Sequence, residues 1–484
     1  MTSQTDSRRL KALTLSLSIS AAMAATAAQA APEDQQTIEA LRAQLQQMQQ
    51  RLDRLEQQQA SAQTTGSGNT AASNSGSNGT SAKDSGSRQT AASANSDNSD
   101  ASALSMAEQN KATLDEMQQV EFSGLVEFGY NYQDWSESSK DKAGDLDFNK
   151  LVLAIDGEHD DFLYSMEYRF YNGYNFLKKG WLGYKVNDRN IVKAGLMQTP
   201  FGNLPYGYLG WYGNLPYLAG FNDNQNAGVL WERDAGPWNT SLAFFKSDSL
   251  GDDNEQYGAN AVGGTTDAVY DADNNLVSRG NQGNTEENQL AARAAYTFGH
   301  DTDYTTEVNA SIKGGQLYNE QTNDSGSNWS AALGISGSYG NWLAMAQATT
   351  YRYDAENATE AETGISDNVI QVGAFNFNYL IPAEAEMYTA SLGYSMDVDW
   401  GPVENIYFYN DFSYINPRGD YSPYNGGFGN VDNPMFNDIG LKLTAGPYYL
   451  WADIASNKNG LGYFGSGDAN KWNTQFITTF GFNF

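Results

Sequence analysis

The groups able to do chemistry are few in type but regular in spacing. The chain has no cysteine and two histidines, His159 and His300. Both histidines fall in short turn-like connections expected on the periplasmic side, where they are poorly placed for a metal site or a surface-facing hydrolase. What the sequence offers instead is charge at a fixed interval. Lys150, Arg169, Lys179, Lys193, Arg293, Lys313 and Lys442 each fall on the polar side of a run that alternates polar and apolar. Glu121, Glu127, Glu167, Glu307 and Asp453 do the same. Charges spread along a wall can replace part of the hydration of a passing solute. Facing rows of opposite sign would set up a transverse field. The plainer alternative is that they are ordinary water-facing charges that stabilise the wall. No nucleotide-binding or nucleophile-elbow pattern is present, and no catalytic residue, cofactor or metal is implied. Asp271-Ala272-Asp273-Asn274-Asn275 begins like a calcium loop, but Leu276 stands where glycine is needed and Gln282 where glutamate is needed. A solvated acidic loop, or loose bridging of calcium or of lipid through cations, is what remains.

The elements that must carry these charges are strands. Val120, Phe122, Gly124, Val126, Phe128 and Tyr130 alternate with Glu121, Ser123, Glu127 and Asn131. Phe162 to Phe170, Leu290 to Tyr296 and Tyr304 to Ile312 repeat the pattern, with charge only on the polar side. The chain ends the same way, with Phe476, Thr478, Phe480, Phe482 and Phe484 on one face. A period of two with one wet face is a half-buried strand. A soluble sandwich and a membrane barrel both satisfy it. The aromatic density, the leader and the terminal phenylalanine favour the barrel, whose outer band meets lipid and whose inner band meets water. Connections alternate in length. Gly157–Asp161, Asn187–Asn190, Arg233–Pro237, Gly299–Asp303 and Gly340-Asn341 are short; Gln133–Gly144, Ser247–Glu287, Gln316–Asn328 and Asn416–Met435 are long. That is the barrel rule of short periplasmic turns and long outer loops. About 17 runs resemble strands. Both ends of the barrel should be periplasmic, which requires an even number, and Asn368–Leu380 is the run to leave out. The expected fold is an all-β antiparallel transmembrane barrel of 16 strands over residues 120–484.

Composition bounds the rest. The 484 residues carry a formal net charge of −30 with 48 Gly and 30 Tyr, which does not suit a nucleic-acid partner. After the leader there is no apolar run long enough for a helical span. Residues 1–30 read as a signal peptide, with Arg8, Arg9 and Lys11 before a small apolar stretch and Ala28-Gln29-Ala30 as the cleavage site. In 31–59, Ile38, Leu41, Leu45, Met48, Leu52 and Leu55 hold coiled-coil spacing. Nothing adjacent could cover that stripe, so self-association is expected, in the periplasm. The 60–119 segment is a Ser/Gly/Asn-rich linker.

One segment, 201–228, breaks the strand period. Tyr206, Tyr208, Trp211, Tyr212, Tyr217 and Phe221 crowd it, with Asp223 as its only charge. It is too rich in Gly and Pro for a strand and too aromatic for a solvated loop. It should bury itself inside the barrel as a constriction, or pack against the wall or a neighbouring subunit. Its rings could stack on sugars or on other solutes with an apolar face.

Lys178-Lys179-Gly180-Trp181-Leu182-Gly183-Tyr184-Lys185, Val192-Lys193-Ala194-Gly195 and Thr199-Pro200-Phe201-Gly202 resemble the phosphate-selective porin O/P group of bacterial outer-membrane porins. The layout of a coiled coil before a barrel is similar to trimeric relatives in that broad group, dicarboxylate porins included. The resemblance implies an inward constriction loop after Pro200-Phe201-Gly202, a homotrimer and a terminal Phe484 read by the outer-membrane assembly machinery. It also implies surroundings of outer-membrane lipid and lipopolysaccharide. Residues 101–484 hold 20 Lys and Arg against 49 Asp and Glu, so phosphate selectivity does not carry over. The expected function is passive diffusion of small hydrophilic solutes, with a bias toward small anions or sugars. A barrel enzyme, such as an outer-membrane protease or lipase, would need a catalytic cluster that two histidines do not supply. A tether or adhesin working through the coiled coil is the other alternative.

Overall fold

The computed structural model describes residues 120–249, 254–464 and 468–484. The expected leader (1–30), coiled coil (31–59) and linker (60–119) lie outside the described residues. In chain order the first strands are β1 (Val120–Gln133), β2 (Asp145–His159), β3 (Phe162–Tyr171), β4 (Asn175–Asn187), β5 (Asn190–Gln198), β6 (Gln225–Ala235) and β7 (Trp238–Ser247). Next come β8 (Asn260–Ala261), β9 (Val269–Tyr270), β10 (Leu276–Ser278), β11 (Asn284–Phe298), β12 (Tyr304–Asn319), β13 (Ser325–Tyr339) and β14 (Trp342–Asp354). The last are β15 (Val369–Ala374), β16 (Phe377–Pro382), β17 (Glu384–Trp400), β18 (Val403–Pro417), β19 (Met435–Ala445), β20 (Tyr448–Lys458) and β21 (Asn473–Asn483). Sixteen of these close into one antiparallel barrel; β8, β9, β10, β15 and β16 stand apart from it. Closure is made by β1 against β21, in register from Leu125↔Asn483 to Gln133↔Gln475. Phe484 extends the seam by exchanging backbone hydrogen bonds with Gly124 at 2.9 and 3.0 Å.

The alternation sorts the side chains by face. Phe122, Leu153, Leu182, Leu242, Leu290, Ile312, Leu333 and Ile439 are exposed outside, whereas Ser165, Ser241, Arg293, Gln347, Asp411 and Thr479 are buried inside. An apolar exterior around a polar interior reverses the arrangement of a soluble protein and is the one a bilayer stabilises. Near the short-turn end the exterior carries paired aromatic rings. Phe162 with Tyr184, Trp238 with Tyr296, and Trp342 with Tyr394 lie 5.2, 4.9 and 4.7 Å apart. Such a girdle suits the boundary between lipid tails and water. Two-residue turns such as Gly340-Asn341 close this end, with Gly340 at φ +61°, a conformation that costs glycine little.

At the other end most connections are long, those at 172–174 and 320–324 excepted. Residues 134–144 hold α1 (Glu137–Lys142), 199–224 hold α2 (Leu215–Leu218), and 355–383 hold α3 (Glu360–Thr363). The expectation of a long loop over Gln316–Asn328 is too wide. β12 and β13 stay paired up to Tyr318↔Ser325, because alternation continues through polar side chains there. The Asn368–Leu380 run falls in β15 and β16, whose hairpin adds β8 through Val372↔Ala261 and takes no part in the wall. Its Val369, Val372 and Ile381 are fully buried. They pack in one apolar cluster with Leu215 and Tyr217 and with the inward Tyr351, Met387, Ile415 and Phe436 of the wall. The loops therefore share a core inside the wide-loop half of the barrel.

Candidate functional site

The segment after β5 lies within the barrel, tied to the inner wall at several strands. It leaves at Thr199 and returns at Asn224, where the Thr199 N–H donates to the Asn224 carbonyl at 2.8 Å. β6 starts at Gln225, so the last four residues of the expected 201–228 segment belong to a strand. Strand pairing captures them because Gln225–Gly228 lie opposite Gln198–Gly195 of β5. On one side the Gly202 N–H donates to Ser311 Oγ of β12 at 2.8 Å and the Asn203 N–H to Gln347 Oε1 of β14 at 2.8 Å. The Gly202 carbonyl accepts from Arg293 Nε at 2.8 Å. Any Cβ on Gly202 would stand 2.3 Å from Gln347 Oε1, so the approach requires glycine. Further round the wall the Leu209 and Gly210 N–H groups donate to Asp411 of β18, the latter at 2.6 Å, and Leu215 donates to Ser413 Oγ at 3.1 Å. Trp211 Nε1 then reaches Glu127 of β1 at 3.3 Å, and Gln475 of β21 reaches the Tyr212 hydroxyl at 2.6 Å. The loop thus spans from β12 and β14 to β18, β21 and β1.

Asp223 is held at the root of the loop. It receives the Tyr257 hydroxyl at 2.5 Å and Gln198 and Gln225 at 3.0 Å each, with Lys178 Nζ at 3.5 Å. Burial, with Asp223 next, pushes the Tyr257 phenol well up from its ordinary value. Tyr217 and Phe221 are buried in the loop core, while Tyr206 stays 43% exposed toward open space.

The inward charges occur as neighbouring pairs and not as facing rows. Lys150 sits 3.0 Å from Glu127, Arg169 2.6 Å from Glu167, Lys179 3.5 Å from Asp156, and Arg293 2.5 Å from Glu307. Lys193 pairs with Glu232, and Lys313 lies 3.9 Å from Glu286. Lys442 has no carboxylate partner among the described residues and lies over the rings of Trp451 and Tyr449 at 5.0 and 5.7 Å. Phe484 stacks on Phe482 at 5.9 Å, away from all of these groups. Three further carboxylates gather on the inward face of β18, β19 and β20: Asp411, Asp438 and Asp453, each fully buried. Asp411 and Asp438 are cross-strand partners, and the Tyr409 hydroxyl donates to Asp453.

Of the residues that sequence reading passed over, Asp156, Glu232 and Asp438 among them, two are instructive. Lys178 is inward together with Lys179, because a bulge sets Glu167 against Lys179 and Tyr168 against Leu177. Strict alternation gives only one of two adjacent lysines to the interior, and the Lys-Lys doublet itself was the available signal. Asp411 lay within reach of the parity rule, since exposed Phe408 and Phe412 bracket it.

Among the described residues no group of three or more His, Asp or Glu is arranged to hold a metal ion. Asp271 instead caps its own turn, accepting from the Asp273 and Asn275 N–H groups at 2.9 and 2.7 Å. Its hydrogen bond from the Asn275 side chain leads the effects that hold its carboxyl below the ordinary range. His159 and His300 stand at the short-turn end beside Asp160 and Asp301.

Three cavities border the loop, one of about 270 Å³ among Lys178, Lys179, Lys193, Pro205 and Asp223, and two that share part of their lining. The first, of about 560 Å³, is lined by Lys150, Arg169, Tyr171, Tyr174, Trp211 and Tyr257 among others. The second, of about 390 Å³, includes Lys442, Asn405 and Tyr407 toward the short-turn end. Tyr206, Tyr208, Leu209 and Trp451 border both.

No protein-family profile matches the chain, and no curated protein does. Solved structures similar to it include an anion-selective porin from Comamonas acidovorans, at 10% identity and TM-score 0.46, covering 75% of this chain and 99% of that one. OmpF of Salmonella typhi, in complex with daunomycin, is similar at 12% identity and TM-score 0.46, covering 75% and 97%. OprB of Pseudomonas putida is similar at 9% identity and TM-score 0.47, covering 78% and 96%. At this distance the likeness concerns architecture alone. The resemblance to the phosphate-selective group rests on the 178–202 motifs and on nothing in these structures.

Proposed function

We propose that the chain forms a water-filled channel in the bacterial outer membrane for passive diffusion of small hydrophilic solutes. The observation that carries the reading is the loop at 199–224, which leaves the wall at β5 and is bound to it again at β14 and β18, with Tyr206, Tyr208 and Leu209 bordering two cavities beside it. Water confined to such a neck gives a few side chains control of resistance and selectivity. Lys150, Arg169, Lys179, Lys193, Arg293, Lys313, Lys442, Glu127, Glu167 and Glu307 then act as its lining. Of the two solute biases open to the sequence, small anions and sugars, the pairing of the wall cations favours sugars. Self-association into a homotrimer through Ile38 to Leu55, and recognition of Phe484 by the assembly machinery, complete the proposal. The test is a planar-bilayer recording of the purified protein and of a variant shortened between Tyr206 and Asn222. Conduction by the parent and a clearly larger single-channel conductance in the variant are expected. Equal conductance would move the neck elsewhere, and a non-conducting parent would end the channel reading.

A further inference from the structure

We infer that the larger cavity beside the loop is a binding site for a saccharide, an assignment that rests on the channel reading for its physiological sense. Its walls set aromatic faces beside Lys150 and Arg169, each of which is paired with a carboxylate. Tyr171 and Tyr174 stack 4.9 Å apart with their planes 4° from parallel, and Trp211 stacks on Tyr212 at 6.0 Å. Lys150 lies over the Trp211 ring at 5.2 Å, and the Arg169 guanidinium over Tyr257 at 4.6 Å. Each cation is thus compensated twice, by a ring and by Glu127 or Glu167.

Three classes of guest can be weighed against this lining. A carboxylate or phosphate needs an uncommitted cation, and here it would have to displace Glu127 at 3.0 Å or Glu167 at 2.6 Å. Breaking a poorly solvated ion pair leaves a charge uncompensated, which is costly. A neutral aromatic solute would use the rings but cover the ion pairs with groups that cannot hydrogen-bond, leaving polar atoms unmatched. A saccharide satisfies both halves. Its C–H face packs on a ring, and each hydroxyl both donates and accepts. Arg169 presents its guanidinium in the lining as a donor, with 14% of its side chain accessible and Glu167 paired to it at 2.6 Å. Asn149, which donates to Glu127 at 3.0 Å, supplies a further polar group beside Lys150. The cavity's roughly 560 Å³ lies in the usual range of small-molecule sites.

The test uses the full-length protein in planar bilayers with maltose as probe and potassium benzoate and phosphate as anionic controls. Maltose is expected to reduce the ion current reversibly and saturably, with no saturable effect of the anions. Tyr174→Ala and Trp211→Ala should each raise the half-blocking concentration by about tenfold, the worth of one lost stacking contact. Heat-modifiable migration of each variant reports whether the barrel is folded, and the two positions serve as controls for one another. A conducting parent that maltose does not block, or that benzoate blocks saturably instead, overturns the site while leaving the channel intact. Should the protein not conduct, the channel reading fails on its own. Maltose titration of the detergent-solubilised protein by tryptophan fluorescence then decides the site: a saturable change lost in Tyr174→Ala supports it, and a flat titration overturns it.

Discussion

The Leu209–Gly210 stretch of the loop should be loosened from β18 by a single substitution, Asp411→Ala. Asp411 is fully buried and accepts the Leu209 N–H at 3.0 Å and the Gly210 N–H at 2.6 Å. Hydrogen bonds to a charged group contribute about 1.5–3 kcal/mol each, so removing both would cost roughly 3–6 kcal/mol if nothing compensated. Compensation is present. Asp411 faces Asp438 across the strand pair, with Asp453 on the next strand, and losing one carboxylate relieves repulsion and desolvation at the other two. The net cost is therefore set at about 2–3 kcal/mol, a roughly 30- to 150-fold shift toward loop release. The contacts from Asn203 to Gln347, Arg293 to Gly202, Leu215 to Ser413 and Trp211 to Glu127 remain, so the loop stays attached on either side of the freed stretch. Single-channel recordings should show the parent's main conductance interrupted by larger openings, more frequent by that factor. Gln347→Ala combined with Asp411→Ala should make the larger level dominant. If Asp411→Ala is as quiet as the parent while its barrel is folded, the anchor is not where the resistance is set.

Other perturbations separate the roles of wall, seam and coil. Arg169→Gln should leave Glu167 without its 2.6 Å partner and shift the reversal potential in asymmetric salt toward cation preference, with little change in conductance. An unchanged potential would place the pair off the conducting path. Deleting Phe484 removes both hydrogen bonds to Gly124 and should lower the amount assembled in the outer membrane, measured by heat-modifiable migration in cells. Full assembly of the truncated chain would refute its role as a signal. Leu45→Asp with Leu52→Asp should loosen self-association yet leave the barrel folded. The measurement is cross-linking in native membranes, and strictly monomeric behaviour of the parent would sink the coiled-coil proposal.

The barrel was legible because its physics is local. A wall strand has one lipid face and one water face, so a period of two is written into almost every run, and the parity of one exposed Phe fixes the face of its neighbours. The Asn368–Leu380 run looked like a strand because β15 and β16 are strands, and only the even count removed them from the wall. Their destination was not legible. Val369 and Ile381 are buried in one cluster with Leu215, which lies 154 and 166 positions earlier in the chain, and periodicity says nothing of such pairings.

The interior resisted reading for a different reason, and it is the reason the charge count misleads. Alternation gives the face of Lys150 and of Glu127 but not the distance between them, which depends on register. Here a register shift after Glu127 brings Asn149 and Lys150 together against one carboxylate. A second shift after Glu167 turns both Lys178 and Lys179 inward, and it is Lys178, invisible to parity, that holds Asp223 at the root of the loop. Bulges re-aim single side chains at little cost to the ladder. In a pore that small adjustment decides whether a lysine is a free charge for an anion or one half of a neutral pair. A chain with net charge −30 and a basic-looking doublet therefore arrives at a lining whose cations are nearly all committed. Selectivity then passes to the rings between the pairs. Exchanging Glu167 for Gln should restore a free Arg169 and make the same cavity bind benzoate, without moving a single aromatic side chain.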